Sequence, residues 1–357
     1  MSASVSAAVG APTPALRVTT AHHSDPGDLL ALLPTADSVS TWVRRGDGMV
    51  AWGEAARIDT TGPARMIEAN AWFTRVREAA TISDDVSLPG TGLVAFGSFS
   101  FDDASATGGS LIIPRILVGR RGGQCWVTTI DPDGADSLTL EAPHDPLTYP
   151  SDVTYSPGAV TPSEWKEKVA DAVARIKAGE AAKIVLARDI WATSSTLLDT
   201  RALVTRFSAA YPTTWAFAVD GLVGATPEML VRRERRLVAS RVLAGTIRRT
   251  GDDERDLAHA AALARSSKDL EEHEFAVESL ARALAPFVES ANVPAVPSVL
   301  HLPNVMHLAT DVTAVLQRDA DGGRPSSLRL AAALHPTAAV GGTPTAQAVA
   351  LVREIEG

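Results

Sequence analysis

A lysine and a glutamate on two separate apolar segments could together act as a base and an acid. Lys183 opens the run Lys-Ile-Val-Leu-Ala-Arg, whose alternation predicts a central strand that is largely apolar on both faces. Burial there disfavours the charged form of a lysine, and a neutral amine can act as a general base. The alternative is a strand-end lysine whose ammonium reaches water along its aliphatic stem.

The glutamate is Glu228, which follows the turn Thr226-Pro227 in the run Gly-Ala-Thr-Pro-Glu. We expect a strand to end there and a short helix to begin, so the carboxylate could simply cap that helix. Apolar neighbours would instead raise its pKa and make it a general acid. A base and an acid on different strands suit addition of water at one carbon with loss of hydroxyl at another.

Three further groups could bind a ligand or a metal. Gly245 and Thr246 follow a predicted strand, where glycine permits close approach and threonine offers a hydroxyl, although a plain turn fits equally. Glu272 lies among acidic residues at a predicted helix start, where carboxylates are favourable by themselves and could also hold Mg²⁺. His307 lies on a predicted strand, where a hydrogen-bonded core histidine is the alternative to a catalytic one.

Strands with one helix are predicted for the segment that precedes these residues, and alternating helices and strands for the segment that holds them. Thr161-Pro-Ser-Glu164 predicts a capped helix start at the beginning of the second segment. The pattern indicates an α+β fold with long, mostly antiparallel strands. We expect a disordered tail at 1–14, an N-terminal subdomain at 15–150 and a C-terminal subdomain at 151–357.

Composition narrows the classes of function. The 357 residues carry a net charge of −9, which argues against a nucleic-acid partner or an anionic membrane. The only cysteine, Cys125, excludes an internal disulfide framework and a thiolate metal cluster, and it favours a reduced, cytoplasmic compartment. No apolar run approaches the roughly 20 residues that span a bilayer.

Six motifs, in order, resemble those of the chorismate-utilising enzymes. They occupy residues 183–188, 224–228, 243–246, 267–274, 307–310 and 335–344. The resemblance is strong from about residue 160 to residue 357 and weak before it. It implies one large α+β domain with a big, mostly antiparallel sheet flanked by helices.

The resemblance also implies a substrate, a metal and residue roles. Chorismate would bind with Mg²⁺ in a central cleft. Lys183 would activate water at ring C2, Glu228 would protonate the departing C4 hydroxyl, and Glu272 would be a magnesium ligand. The residues that would line the substrate site are Gly245, Thr246, His307 and Ala339.

Two positions favour one reaction within this family. Anthranilate-forming members typically have glutamine where Lys183 stands, and aminodeoxychorismate synthases often carry lysine where Ala244 stands. Both differences favour water as the nucleophile. The resemblance therefore implies a monomeric isochorismate synthase that feeds siderophore, salicylate or menaquinone biosynthesis. Salicylate synthase, which eliminates pyruvate after the same first step, is the alternative.

The end of the sequence supports a third hypothesis. The chain stops at Gly357, where the family normally continues through several strands and a helix. That stretch usually supplies a substrate-binding arginine and a second magnesium glutamate. We therefore expect a C-terminally incomplete catalytic subdomain, and a truncated, non-catalytic homologue stays open.

Overall fold

Two compact units make up the chain in the computed structural model, which describes residues 13–132, 145–319 and 322–357. The first unit comprises Met1–Pro150 and Thr196–Pro227, and the second comprises Ser151–Ser195 and Glu228–Gly357. The subdomain boundaries taken from the sequence stay a prediction, and they did not include the return of Thr196–Pro227 to the first unit. Most of the predicted tail, residues 1–12, lies outside the described residues.

The described residues up to Pro157 hold ten strands and one α-helix. The strands are β1 (Leu16–His23), β2 (Val39–Arg44), β3 (Asp47–Trp52), β4 (Ala56–Thr60), β5 (Thr81–Asp84), β6 (Phe96–Phe99), β7 (Gly109–Ile113), β8 (Ile116–Arg121), β9 (Gln124–Pro132) and β10 (Thr154–Pro157). The helix is α1 (Arg65–Ala79).

The chain after Pro157 alternates helices with strands, as the sequence predicts. The strands are β11 (Lys183–Ile184), β12 (Ile190–Thr193), β13 (Trp215–Val219), β14 (Leu222–Thr226), β15 (Met229–Glu234), β16 (Leu237–Arg248), β17 (Val288–Asn292), β18 (Ser298–His301), β19 (Val305–Leu316) and β20 (Gly342–Thr343). The helices are α2 (Pro162–Lys177), α3 (Thr200–Ala210), α4 (Asp253–Arg265), α5 (Ser267–Leu284), α6 (Ser327–Leu334) and α7 (Thr345–Glu356). None of the helices in the described ranges is long and apolar enough to cross a bilayer.

An eight-stranded sheet forms the body of the first unit, in the order β14-β13-β2-β3-β8-β9-β1-β5. All its neighbours are antiparallel except β1 and β5. Three of its hairpins close through two-residue turns with positive φ at both residues, which matches the right-handed twist of the strands. One face buries Val39, Val50 and Ile116 against a 3₁₀ helix at Leu29–Leu32 and against α3. A second sheet, β4-β7-β6, carries α1.

A five-stranded antiparallel sheet forms the body of the second unit, with β15-β16-β19-β17 in order and β18 also paired with β19. The central strands β16 and β19 are twelve residues each. Their apolar side chains pack against α5 and α6 in a cluster that includes Val242, Ala276, Leu280 and Val312. Separately, β11 pairs with β20, and Ile184 and Leu186 pack against α2 and α7.

The predicted start of α2 is confirmed in detail. The Thr161 hydroxyl accepts from the Glu164 amide at 3.4 Å, and the Glu164 carboxylate accepts from the Thr161 amide at 2.7 Å. Both bonds satisfy amides that the first helical turn leaves unpaired. The mixed α+β class with antiparallel sheets flanked by helices is confirmed as well.

Two local predictions are wrong. Lys183 does not lie on a central strand of a large sheet, because β11 is two residues long and pairs with β20. Its apolar neighbours bury against two helices, which produces the same alternation as burial between strands. Glu228 does not begin a helix, because β15 starts at the next residue and forms a hairpin with β16. The helix-capping interpretation of Glu228 is therefore excluded.

Candidate active site

The backbone of Lys183 is held by an unusually close strand partner. Lys183 pairs with Thr343, and Ile184 pairs with Gly342. Gly342 has φ +125°, and a Cβ at this position would lie 2.2 Å from the Lys183 carbonyl oxygen. Only glycine permits this approach, so β20 fixes where the lysine side chain starts.

The Lys183 side chain is 11% exposed, and its Nζ lies 3.1 Å from Oε1 of Glu272, which is 36% exposed. The two groups form an ion pair. Across the described ranges, Nζ has no hydrogen-bond partner. A buried ammonium with three donors is therefore left almost unsatisfied, which is uncommon away from functional sites.

Glu228 lies directly before β15 and is half-buried. Burial raises the pKa of its carboxyl to about 7, and the nearby positive charge of Lys183 opposes that rise. At neutral pH a large fraction of Glu228 is therefore protonated and able to donate a proton. The structure thus places the predicted base and the predicted acid within electrostatic reach of each other.

A pocket of about 520 Å³ opens beside Lys183. Lys268, Glu271 and Glu272 supply its other charged groups, and apolar side chains of α2 and Phe275 of α5 supply much of the rest. Its size and its few converging polar groups fit a small organic ligand.

Gly245 and Thr246 lie on a β-bulge in β16. Ala244 pairs with Leu308 and Thr246 pairs with His307, so Gly245 is an extra residue, with φ +76°. The bulge brings the Thr246 hydroxyl 2.9 Å from Nδ1 of His307. Burial lowers the pKa of His307, opposed by a backbone hydrogen bond at Gly245, so the ring is neutral at pH 7. The plain-turn alternative for Gly245-Thr246 is therefore wrong.

His273 is a residue of the site to which the sequence analysis gave no role. It is buried, with Nδ1 3.2 Å from the Ala244 carbonyl and Nε2 2.8 Å from the Thr310 hydroxyl. A carbonyl only accepts, so Nδ1 carries the proton and Nε2 accepts from Thr310. Burial lowers the pKa of His273, which agrees with a neutral ring. The signal was its place directly after Glu272 in a family motif.

The predicted residues fall into two groups on the second unit. Lys183, Glu228 and Glu272 are joined by distance or by charge. Gly245, Thr246 and His307 meet at the bulge, and His273 links the two groups because it bonds the Ala244 carbonyl and follows Glu272 along α5. Ala339 lies in the loop before β20 and packs against the cluster that contains Ala244. The roles of these residues stay predictions.

The donors at the pocket allow a limited test of magnesium binding. Glu272 and Glu271 offer carboxylate oxygens, which Mg²⁺ prefers. No group of three or more His, Cys, Asp or Glu side chains placed to hold a metal occurs within residues 13–132, 145–319 and 322–357. These residues fit an ion held by one carboxylate, with water and substrate completing its coordination, and they do not form an all-protein cage.

Comparison with known proteins decides the family. A family model described as "Chorismate binding enzyme" matches residues 13–357. The chain belongs to this family. The predicted resemblance is therefore confirmed, and so is the fold that it implies.

Relatives of this chorismate binding enzyme carry more specific names. "Isochorismate synthase DhbC" of Bacillus subtilis is 36% identical over 206 residues, which are 55% of this chain and 51% of that protein. "Salicylate biosynthesis isochorismate synthase" of Pseudomonas aeruginosa is 37% identical over 198 residues, which are 54% of this chain and 40% of that protein. The chain thus spans about half the length, or less, of these curated relatives.

A solved structure shows the same fold. The menaquinone-specific isochorismate synthase MenF from Escherichia coli matches 96% of this chain and 79% of its own chain, with a TM-score of 0.76. The sequence identity is 22%, so this likeness establishes the fold alone.

Proposed function

We propose that this chorismate binding enzyme is an isochorismate synthase, which isomerises chorismate to isochorismate. The observation that carries the proposal is that a largely buried Lys183 acts electrostatically on Glu228, whose pKa burial raises to about 7. An acid and a base held together match a reaction that adds water at one carbon and expels hydroxyl from another. The names of the relatives agree with this reaction.

The reaction needs a base that removes one proton from water and an acid that donates one proton to the departing hydroxyl. In its neutral form, Lys183 takes a proton from water as the water oxygen bonds to ring C2. The ring double bonds shift, the C4–oxygen bond breaks, and Glu228 gives its proton to the departing hydroxyl, which leaves as water. Water enters and water leaves, so the net change is an isomerisation.

Other residues would bind the substrate and a metal. Glu272 would hold Mg²⁺, and the ion would neutralise carboxylate charge on chorismate when bound. A neutral His307 beside Thr246 would offer hydrogen bonds without adding charge. Gly245 and Ala339 would complete the substrate site. The product would feed siderophore, salicylate or menaquinone biosynthesis.

The test is chromatography of the products formed from chorismate with Mg²⁺. We expect isochorismate from the wild type and a loss of about 10²- to 10⁴-fold in turnover for Lys183→Ala, because general base catalysis typically contributes that much. Lys166→Ala, an exposed change on α2, is the matched control and should leave turnover unchanged.

Each other outcome has a distinct meaning. Unchanged turnover in Lys183→Ala would contradict the assignment. Salicylate with an equal amount of pyruvate would make the chain a salicylate synthase. A folded wild type that forms no product would support the non-catalytic hypothesis.

A further inference from the structure

Two buried polar atoms without a hydrogen-bond partner lie on directly paired residues. They are Nζ of Lys183, whose contact with Glu272 is an ion pair, and Oγ1 of Thr343, and the described part of the chain offers neither of them a hydrogen-bond partner. Lys183 and Thr343 are opposite each other in the antiparallel pairing of β11 with β20. Opposite residues point to the same face, with Cβ atoms about 4.5–5.5 Å apart. The two side chains therefore leave the paired strands on the same face, from Cβ atoms that are close together.

This arrangement offers an amine and a hydroxyl to one oxygen atom of a bound molecule. Native proteins rarely bury a hydroxyl without a partner, and each exception calls for an explanation such as a bound water or a ligand. The Thr343 side chain is β-branched and stiff, and the close contact at Gly342 holds its backbone. The hydroxyl is therefore placed before any ligand arrives.

We propose that Thr343 is a positioning residue that holds, with Lys183, the water molecule that attacks the substrate. The inference rests on the proposed function. An attacking water must point one hydrogen at Lys183 and one lone pair at the ring carbon. A hydrogen bond to the Thr343 hydroxyl, which can donate or accept, fixes the remaining rotation of the water.

Three variants separate this role from a purely structural one. Thr343→Val keeps the shape and removes the hydroxyl, and Thr343→Ser keeps the hydroxyl. Thr345→Val is the matched control, because the Thr345 hydroxyl donates within the chain to the Gly342 carbonyl at 3.3 Å. Thermal unfolding and steady-state kinetics with chorismate and Mg²⁺ are measured for each.

We expect Thr343→Val to lower kcat by about 10- to 100-fold with little change in KM, because the water loses its orientation while substrate binding persists. Its Tm should stay equal or rise, because the hydroxyl has no hydrogen-bond partner to lose among the residues that the structure describes. Thr343→Ser should restore most of kcat. Thr345→Val should stay within about twofold of the wild-type kcat, as ordinary single changes away from a site do.

Several results would overturn the inference. Full kcat in Thr343→Val would show that the hydroxyl is not needed. A drop in Tm together with kcat, without rescue by serine, would show a structural role. A wild type that forms no product would remove the proposed function itself, whereas an active wild type with an active valine variant would remove only the role of Thr343.

Discussion

Each unit contains an ion pair whose cation is largely buried, and the two cations differ in how completely their donors are satisfied. In the first unit, Arg201 and Asp199 are 3% and 5% exposed and lie 2.7 Å apart. Arg201 also donates to the carbonyls of Pro34 and Asp145, at 2.9 and 3.0 Å. In the second unit, the Lys183 ammonium lies 3.1 Å from the Glu272 carboxylate and has no hydrogen-bond partner among the described residues.

The carboxylates show the same contrast. Burial by itself would raise the pKa of Asp199, but hydrogen bonds from Arg201 and from backbone amides hold it below its usual value. Burial raises the pKa of Glu228 to about 7, and Lys183 offsets only part of the effect. The hydrogen-bonded network of Arg201 stabilises the first unit, whereas Lys183 and Glu228 can act on a ligand.

Removing the cation from the satisfied pair should have the largest effect on stability. Arg201→Met leaves the buried Asp199 charge and several carbonyls without their donor. We expect a loss of about 3–5 kcal/mol in the free energy of unfolding, as for other broken buried pairs. Urea titration measures it, with the exposed Arg206→Met on the same helix as control. A loss below that of the control would contradict the contrast between the pairs.

Removing the charge of Glu228 should stabilise the protein above neutral pH. The folded-state pKa lies above the unfolded value of 4.5, so the stability that the protonated carboxyl contributes is complete below pH 4.5 and is lost as pH rises through about 7. Glu228→Gln should therefore gain up to about 3 kcal/mol at pH 8 and nothing at pH 4. Unfolding curves at both pH values check this.

Exposed Glu167→Gln on α2 serves as the control for that series. A Glu228→Gln gain that is the same at pH 4 and pH 8 would show that the titration of Glu228 is not its cause.

Removing the cation from the unsatisfied pair should change stability least. Lys183→Met keeps the length of the side chain and removes an ammonium that has few partners to lose. Glu272 is 36% exposed and can be solvated after the change. We expect the free energy of unfolding to stay within about 1 kcal/mol of the wild type, because exposed partners lose little. A loss as large as that of Arg201→Met would make Lys183 a structural residue.

Local signals were readable in the sequence, and long-range pairing was not. The capping box at Thr161 follows from neighbouring residues, and the structure has it. The pairing of Lys183 with Thr343 joins residues 160 positions apart, and no local pattern announces it. Periodicity also could not separate burial between strands from burial between helices, which led to the wrong strand for Lys183.

The candidate site was found mainly through its motifs. Lys183, Glu228 and Glu272 were identified from the sequences of these motifs. The structure places Lys183 3.1 Å from Glu272 and within electrostatic range of Glu228. Thr343 and His273 stood inside the same motifs without a role. Their importance depends on which polar atoms find partners after folding, which sequence alone does not show.

The bulge at Gly245 reverses which face of β16 the even-numbered residues occupy. Before it, even-numbered residues such as Val238 and Val242 face the helices. After the bulge, odd-numbered Ile247 lies opposite Met306 and packs with residues of α4 and α5. Even-numbered Thr246 lies on the other face, beside His307. Deleting this single residue would move Thr246 into the core and Ile247 out of it. Insertions and deletions near Gly245 are therefore far less tolerable than substitutions. Substitutions before the bulge can accumulate without changing which side chains face the core after it.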